Sequence, residues 1–404
     1  MKNYYFINRL IVSVACPMTL LLLLFGCSSS GGGGNVQQQV KLVSFVTTSA
    51  GSGDLGSWGD VQGKTGLAAA DVICQAHAGR AGLAGNFKAW LSDDTDDAYC
   101  RMHNLTGKKS ANCNQAVLPV TAGPWTRADG SQFAGKIDQL TSDLGSSPGV
   151  YTPVWFDENG AAAIDYNYYT GTDTYGVADS STHCANLTSN GSVTITLGYS
   201  YATKDQWTNA GGYCSSPSNH LLCMQTDPGL ALQSFPTTTA KKAFLSTAWG
   251  AGDLSLWSDA TGTGLAAGDA ICQSLATAQS ITGTFKAWLS DSTTNAKDRF
   301  TSNGPWVRLD GVKIANNMAD LTDGAIYSTI NLTETGQYMG AYGVFTGTVS
   351  NGTAHASTCS NWTSNSSAVH GMAGIANYAN QKWTEYYDLW GCDLTIYHLY
   401  CLED

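Results

Sequence analysis

Hydrophobic and polar positions along this chain follow two periods, and the same succession of periods occurs twice. In "GLAAADVICQAHAGRAGL" (Gly66–Leu83), Leu67, Ala70, Ile73, Cys74 and His77 recur at helical spacing, with Gly82 near the stop, which predicts a helix with one buried face. Leu265, Ile271, Cys272 and Leu275 repeat the pattern. The heptapeptide "FKAWLSD" follows each helix, at Phe87–Asp93 and Phe285–Asp291. It alternates, with Phe, Ala and Leu on one side, as a half-buried strand does. Each copy closes on a further alternating run through a cysteine, "HLLCMQ" in the first and "LTIYHLYCLED" in the second. A helix first and strands later, with a cysteine in the opening and closing elements, predicts an α+β domain whose ends meet.

The repeat extends beyond these elements, in the same order throughout. "TGLAAADVICQ" pairs with "TGLAAGDAICQ", "GPWTRADG" with "GPWVRLDG", and "THCANLTSN" with "STCSNWTSN". Between the copies lies "TDPGLALQSFPTTTAKK", whose Pro and Thr content marks a linker. Two tandem domains are therefore expected, residues 43–226 and 243–404, joined by a linker at 227–242. The period is too long for a solenoid. A catalytic heptapeptide would need a base beside Asp93 and Asp291, and neither copy fixes a His or Glu there, so "FKAWLSD" is expected to be scaffold.

The chain opens with Lys2, Arg9 and the apolar run "LIVSVACPMTLLLLLFGC". A secretory core followed by Leu24-Phe25-Gly26-Cys27 resembles the lipobox of bacterial lipoproteins. That resemblance implies a leader at 1–26 and acylation of Cys27; an uncleaved membrane anchor is the competing reading. Ser28 is not the aspartate that marks inner-membrane retention, so the expectation is a lipid anchor in the bacterial outer membrane, with the body at the cell surface. "SSSGGGGNVQQQ" is too polar and glycine-rich to bury anything and places a flexible spacer in residues 27–42.

Charge removes one class of partner. The chain has 20 Lys and Arg against 31 Asp and Glu, a net charge of −11, and two of the basic residues lie in the leader. A nucleic-acid partner needs clustered cations, so none is expected. Few charges and abundant Gly, Ser, Thr, Trp and Tyr suit a loop-rich exported domain.

Cys16 belongs to the leader and Cys27 to the anchor; the other cysteines divide six and four, even numbers in a compartment where disulfides persist. Cys100 and Cys113 fall inside residues that only the first copy carries, and are expected to bridge each other. Cys74, Cys184, Cys214 and Cys223 occupy the repeat positions of Cys272, Cys359, Cys392 and Cys401. Four cysteines allow three pairings, and the sequence alone does not choose among them. No CxxC pair supports a metal site instead.

Chemistry is sparse. There is no His-x-His, HExxH or G-x-S-x-G, and no histidine is expected at a position shared by both copies. His77, where the second copy has Leu275, is expected to be a packed helix residue. "SDDTDD" (Ser92–Asp97) supplies four carboxylates, but the second copy has "SDSTTN", so a solvated acidic turn is expected rather than a calcium site. No metal and no cofactor are expected. What remains are aromatic, Gly-rich loops: "DYNYYTGTDTYG" with Tyr166, Tyr168 and Tyr169, and "WTEYYDLWGC" with Tyr386, Tyr387 and Trp390. Such residues give large contact area at low entropic cost, and these six are the candidate ligand-binding residues.

The stretch "VFTGTVSNGTAHASTCSNWTSNSSAVHGMAG" and the closing "GCDLTIYHLYCLED" together resemble the second half of collagen-derived endostatin, in which a Cys-x-x-Trp element and a Gly-rich loop precede a closing cysteine strand. With "GLAAGDAICQ" and "FKAWLSD", each copy is similar to the bacterial endostatin-like domain of leptospiral surface lipoproteins. The first copy departs from the pattern at Leu187, where the second has Trp362, and through its cystine-bearing insertion. The resemblance implies a C-type-lectin-like fold with nested disulfides, Cys74–Cys223 around Cys184–Cys214 and Cys272–Cys401 around Cys359–Cys392. It also implies a non-enzymatic adhesin for a macromolecular ligand, such as a host matrix or complement protein. A calcium-independent glycan-binding module is the alternative, and an envelope structural protein the further one. The implied partners are an extracellular protein or glycan, and the membrane through the anchor.

Overall fold

The closing strand of each sheet is covered on both faces. The computed structural model describes residues 42–404 apart from 120–121, 143–146, 181–182, 227–239 and 389. Its architecture is α+β, with short helices and two mixed sheets, one from each half of the sequence. In the first sheet the opening strand Leu42–Val46 runs antiparallel to the closing strand His220–Gln225 and parallel to Trp125–Arg127. The closing strand also pairs with Phe87–Ala89 and with Asn167–Tyr169. The second sheet repeats these pairings with Lys241–Leu245, His398–Glu403, Trp306–Arg308, Phe285–Ala287 and Gly343–Phe345. The opening strands start at Leu42 and Lys241, one and two residues before the expected domain boundaries, within the usual uncertainty of element ends.

The predicted helices span Gly66–Arg80 and Gly264–Ala278 and lie on one face of their sheets. Phe87, Ala89 and Leu91 join Ile73 and Cys74 in the core under the first helix. Trp90 points the other way, into a second core with Trp125, Phe133 and Trp207. Phe285, Ala287 and Leu289 divide from Trp288 in the same manner. "FKAWLSD" therefore alternates between two cores, not between core and water, and the expected half-buried strand is corrected. The closing strand His220–Gln225 is buried at every position for the same reason. Asp93 and Asp291 each accept backbone N–H groups from the turn that follows, which is a scaffold role.

Five disulfides fix this layout. Cys74–Cys223 and Cys272–Cys401 tie each helix to its closing strand, across 149 and 129 residues. Cys184–Cys214 and Cys359–Cys392 lie within those spans. These are the nested pairs that the resemblance implies, and Cys100–Cys113 staples the insertion as its isolation suggested. In the chain-entropy account, closing a loop of more than a hundred residues stabilises by about 5 kcal/mol.

The inner disulfides hold an unusual backbone. His183–Leu187 and Cys359–Trp362 each form a left-handed turn, with φ of 45–61° and 48–64°. Left-handed helix costs roughly 1–2 kcal/mol per non-glycine residue, so each turn has to be held from outside. The carbonyls of Asn186 and Asn361 come so close to Gly66 and Gly264 that a Cβ there would sit 2.8 and 2.9 Å away. Those two glycines open the main helices for that reason.

The described residues lie within one compact unit, Val40–Asp404, and the two halves meet at a seam. Ala202 and Tyr378 form an antiparallel bridge. On either side of it Thr203 N–H donates to Asn377 O, and Ala379 N–H to Tyr201 O, both at 3.0 Å. Counting back from Trp207 and Trp383, Ala202 and Tyr378 are equivalent positions, and so are Thr203 with Ala379 and Tyr201 with Asn377. The paired bonds exchange partners across a pseudo-twofold axis, as an isologous dimer contact does. The fully buried Arg127 donates across the seam to Tyr327 O at 3.1 Å, and Ser328 Oγ donates to Tyr151 O at 2.8 Å. Trp155 of the first half packs within a core of the second.

Candidate functional site

The six candidate aromatics separate by burial. Tyr168 and Tyr169 are fully buried; their hydroxyls donate to Trp207 O and Ser216 O, so both belong to the core. They are corrected as ligand-binding candidates: the strand Asn167–Tyr169 has packed faces on both sides, which the alternating "YNYYT" does not reveal. Tyr166 is half-buried and stacks flat on His220, with centroids 3.9 Å apart.

Tyr386 and Tyr387 are the exposed members, at 45% and 37%, and Trp390 beside them is half-buried. They continue an aromatic ladder that crosses the seam. Tyr199 stacks on Tyr201 (5.3 Å), which meets Tyr378 edge-on (5.0 Å), and Tyr378 meets Tyr386 (6.1 Å). Tyr387 then lies 5.1 Å from Trp390, itself 5.7 Å from Tyr397. Lys382 Nζ sits 4.9 Å from the Tyr201 ring, a cation–π contact on the same surface. Burial, and then the neighbouring tyrosines, push the Tyr201 and Tyr378 hydroxyls far above the ordinary phenol value, so both stay neutral donors at any physiological pH.

A groove of about 460 Å³ opens on the same seam. Trp155, Phe156, Ile164 and Asp165 come from the first half, and Asp320, Asp323, Ile326, Tyr327 and Asn380 from the second. Its size is that of a small-ligand site or one sugar subsite. Asn380 Nδ2 donates to Asp165 Oδ1 across the groove at 2.7 Å, and burial raises the Asp323 carboxyl. Aromatic walls with carboxylates at the rim suit a polyhydroxylated or cationic group. Sequence reasoning missed this groove, because its residues are distant in the chain and none recurs as a motif.

The acidic turn of Ser92–Asp97 is only partly solvated, which corrects the expectation in part: Asp94 is exposed and Asp96 half-buried. Asp93 and Asp97 are buried. Asp97 accepts from the N–H groups of Lys109 and Ala178, Asp96 from Gly107 N–H, and Asp94 faces His183. They anchor the insertion and the left-handed turn. Among the described residues, no group of three or more His, Cys, Asp or Glu is placed to hold a metal ion.

His220 and His398 do share a position, three residues before each closing-strand cysteine, contrary to the expectation from sequence. Each donates its Nδ1–H to a backbone carbonyl of the opening strand's end, Thr47 at 2.7 Å and Ser246 at 2.8 Å. Burial lowers both imidazoles, so they are neutral clamps between the two central strands. Trp249 and Tyr342, both exposed, flank His398 and were also missed.

No protein-family model matches this chain, and no curated protein is similar to it. Cys27, the leader and most of the spacer lie outside the described residues. Among the described residues, no helix is long and apolar enough to cross a membrane.

Proposed function

We propose that this chain is an exported, lipid-anchored surface protein of the bacterial outer membrane, built from two tandem endostatin-like domains of C-type-lectin-like fold, that binds a macromolecular ligand outside the cell. The observation that carries the binding role is the ladder from Tyr199 through Tyr201 and Tyr378 to the exposed Tyr386 and Tyr387. Wide, rigid aromatic area with a cation beside it favours a protein ligand. By the resemblance, host matrix or complement proteins are the class to test. The groove of Trp155, Phe156 and Tyr327 with Asp165 and Asp323 favours a second reading, calcium-independent glycan binding.

Two assays on the chain as exported separate these readings. Protease added to intact cells should degrade it, and full protection would contradict surface display. The soluble chain, presented to immobilised matrix proteins and to a glycan array with and without chelator, should be retained by proteins. Retention by glycans alone, unchanged by chelator, would favour the second reading, and retention by neither would contradict both.

A further inference from the structure

We propose that Ser49, His77 and Glu158 of the first half form a nucleophile–base–orienter relay that hydrolyses short-chain carboxylic esters at the protein surface. Ser49 Oγ lies 2.8 Å from His77 Nε2, and His77 Nδ1 lies 2.6 Å from Glu158 Oε1. Nδ1 faces a carboxylate and so carries the ring proton, which leaves the Nε2 lone pair to accept from the serine hydroxyl. Both oxygens of Glu158 are fixed, by Thr48 N–H at 3.0 Å and by the Thr48 hydroxyl at 2.5 Å. His77 and Glu158 are buried, whereas Ser49 is half-exposed between the exposed Thr48 and Ala50. A buried base aimed at a surface hydroxyl is the arrangement that activates serine.

The second half supplies an internal control. There Glu334 accepts from the N–H and hydroxyl of Thr247, as Glu158 does from Thr48. The Thr–Glu clamp is thus common to both halves and is part of the scaffold. Position for position, however, the second half has Ala248 for Ser49 and Leu275 for His77. The same local fold forms without the serine and the imidazole, so folding does not explain why both are present in the first half. Among the described residues, Ala50 N–H, next to the nucleophile, has no backbone acceptor and takes the role of donor to the developing oxyanion. Small neighbours and an open surface favour a short acyl group over a long one.

In the reaction, Ser49 Oγ bonds to the ester carbonyl carbon as its proton passes to His77 Nε2. The C–O bond to the alkoxide breaks, the alkoxide takes that proton from Nε2, and an alcohol leaves. Water then gives a proton to Nε2 as it adds to the acyl carbon, the acyl C–Oγ bond breaks as Nε2 returns that proton to Oγ, and the carboxylic acid departs with Ser49 restored. This goes beyond the binding role and does not depend on it. It also departs from the expectation of a chain without enzymatic chemistry.

The test treats the chain containing residues 40–404 with a fluorophosphonate, which phosphonylates an activated serine with loss of fluoride, and measures 4-nitrophenyl acetate hydrolysis. The expected result is an adduct on the peptide bearing Ser49. Ser49→Ala and His77→Leu, which write the second half's residues into the first, should each lower hydrolysis about 100-fold or more, Ser49→Ala with little change in melting temperature and His77→Leu with some loss of it, because Glu158 loses a hydrogen bond. Glu158→Gln should lower kcat with KM unchanged. Absence of an adduct at Ser49, or equal hydrolysis by wild type, Ser49→Ala and His77→Leu, would overturn the proposal.

Discussion

Glu158 has both carboxylate oxygens occupied, and its protonation is tied to folding. Burial raises this carboxyl, but hydrogen bonds from His77 and Thr48 outweigh burial and hold it at about 2, against an ordinary 4.5. A depressed carboxyl contributes stability that is fully present above its unfolded value and is lost as pH falls through its folded one. The window here runs from about pH 4.5 down to about 2, and the contribution is on the order of 3 kcal/mol at most. Glu158→Gln should therefore melt below wild type at pH 6 and approach it towards pH 2, as thermal unfolding at stepped pH would show. A constant difference across that range would contradict the linkage. The relay itself was not legible in the sequence. Its members are 28 and 81 positions apart, and only comparison of the copies position by position marks Ser49 and His77 as an addition.

At the scale of elements, local periodicity carried the main helices, and the duplicated cysteine spacing carried the disulfide positions. Two features escaped it. "FKAWLSD" alternates like a strand facing water, yet Trp90 and Trp288 fill second cores, because the far face is covered by chain such as Thr208 and Thr384, 118 and 96 residues later. The left-handed turns carry no sequence signature, since Cys359, Ser360, Asn361 and Trp362 are ordinary residues in a region glycine prefers. Cys359–Cys392 closes a loop and also holds that turn, in which Trp362 Nε1 donates to Ser290 O at 2.8 Å. Replacing both cysteines with alanine should cost about 3–5 kcal/mol. The Cys100→Ala/Cys113→Ala pair, which staples only an insertion, should cost less. Calorimetry of the two double variants would check the order, and the reverse order would show that the inner bridge bears no strain.

Across the whole molecule, equivalent positions of the two halves meet in a seam that joins the aromatic ladder and the groove into one surface. No motif announces it, since Tyr201 pairs with Ala379 while its counterpart Asn377 pairs with Thr203, and residue identity is not shared between equivalent positions. The seam holds paired backbone bonds, the buried Arg127 and a shared core, so cutting an engineered protease site between residues 227 and 239 should leave both halves co-eluting on gel filtration. Separation into two half-sized species would show that the linker alone joins them. The most direct measurement is equilibrium binding of Tyr386→Ala/Tyr387→Ala/Trp390→Ala, beside wild type, to whichever immobilised matrix protein retains the wild-type chain. Affinity should fall at least 10-fold while the melting temperature and all five disulfides persist. Undiminished binding by this triple variant would contradict the aromatic surface as the contact site.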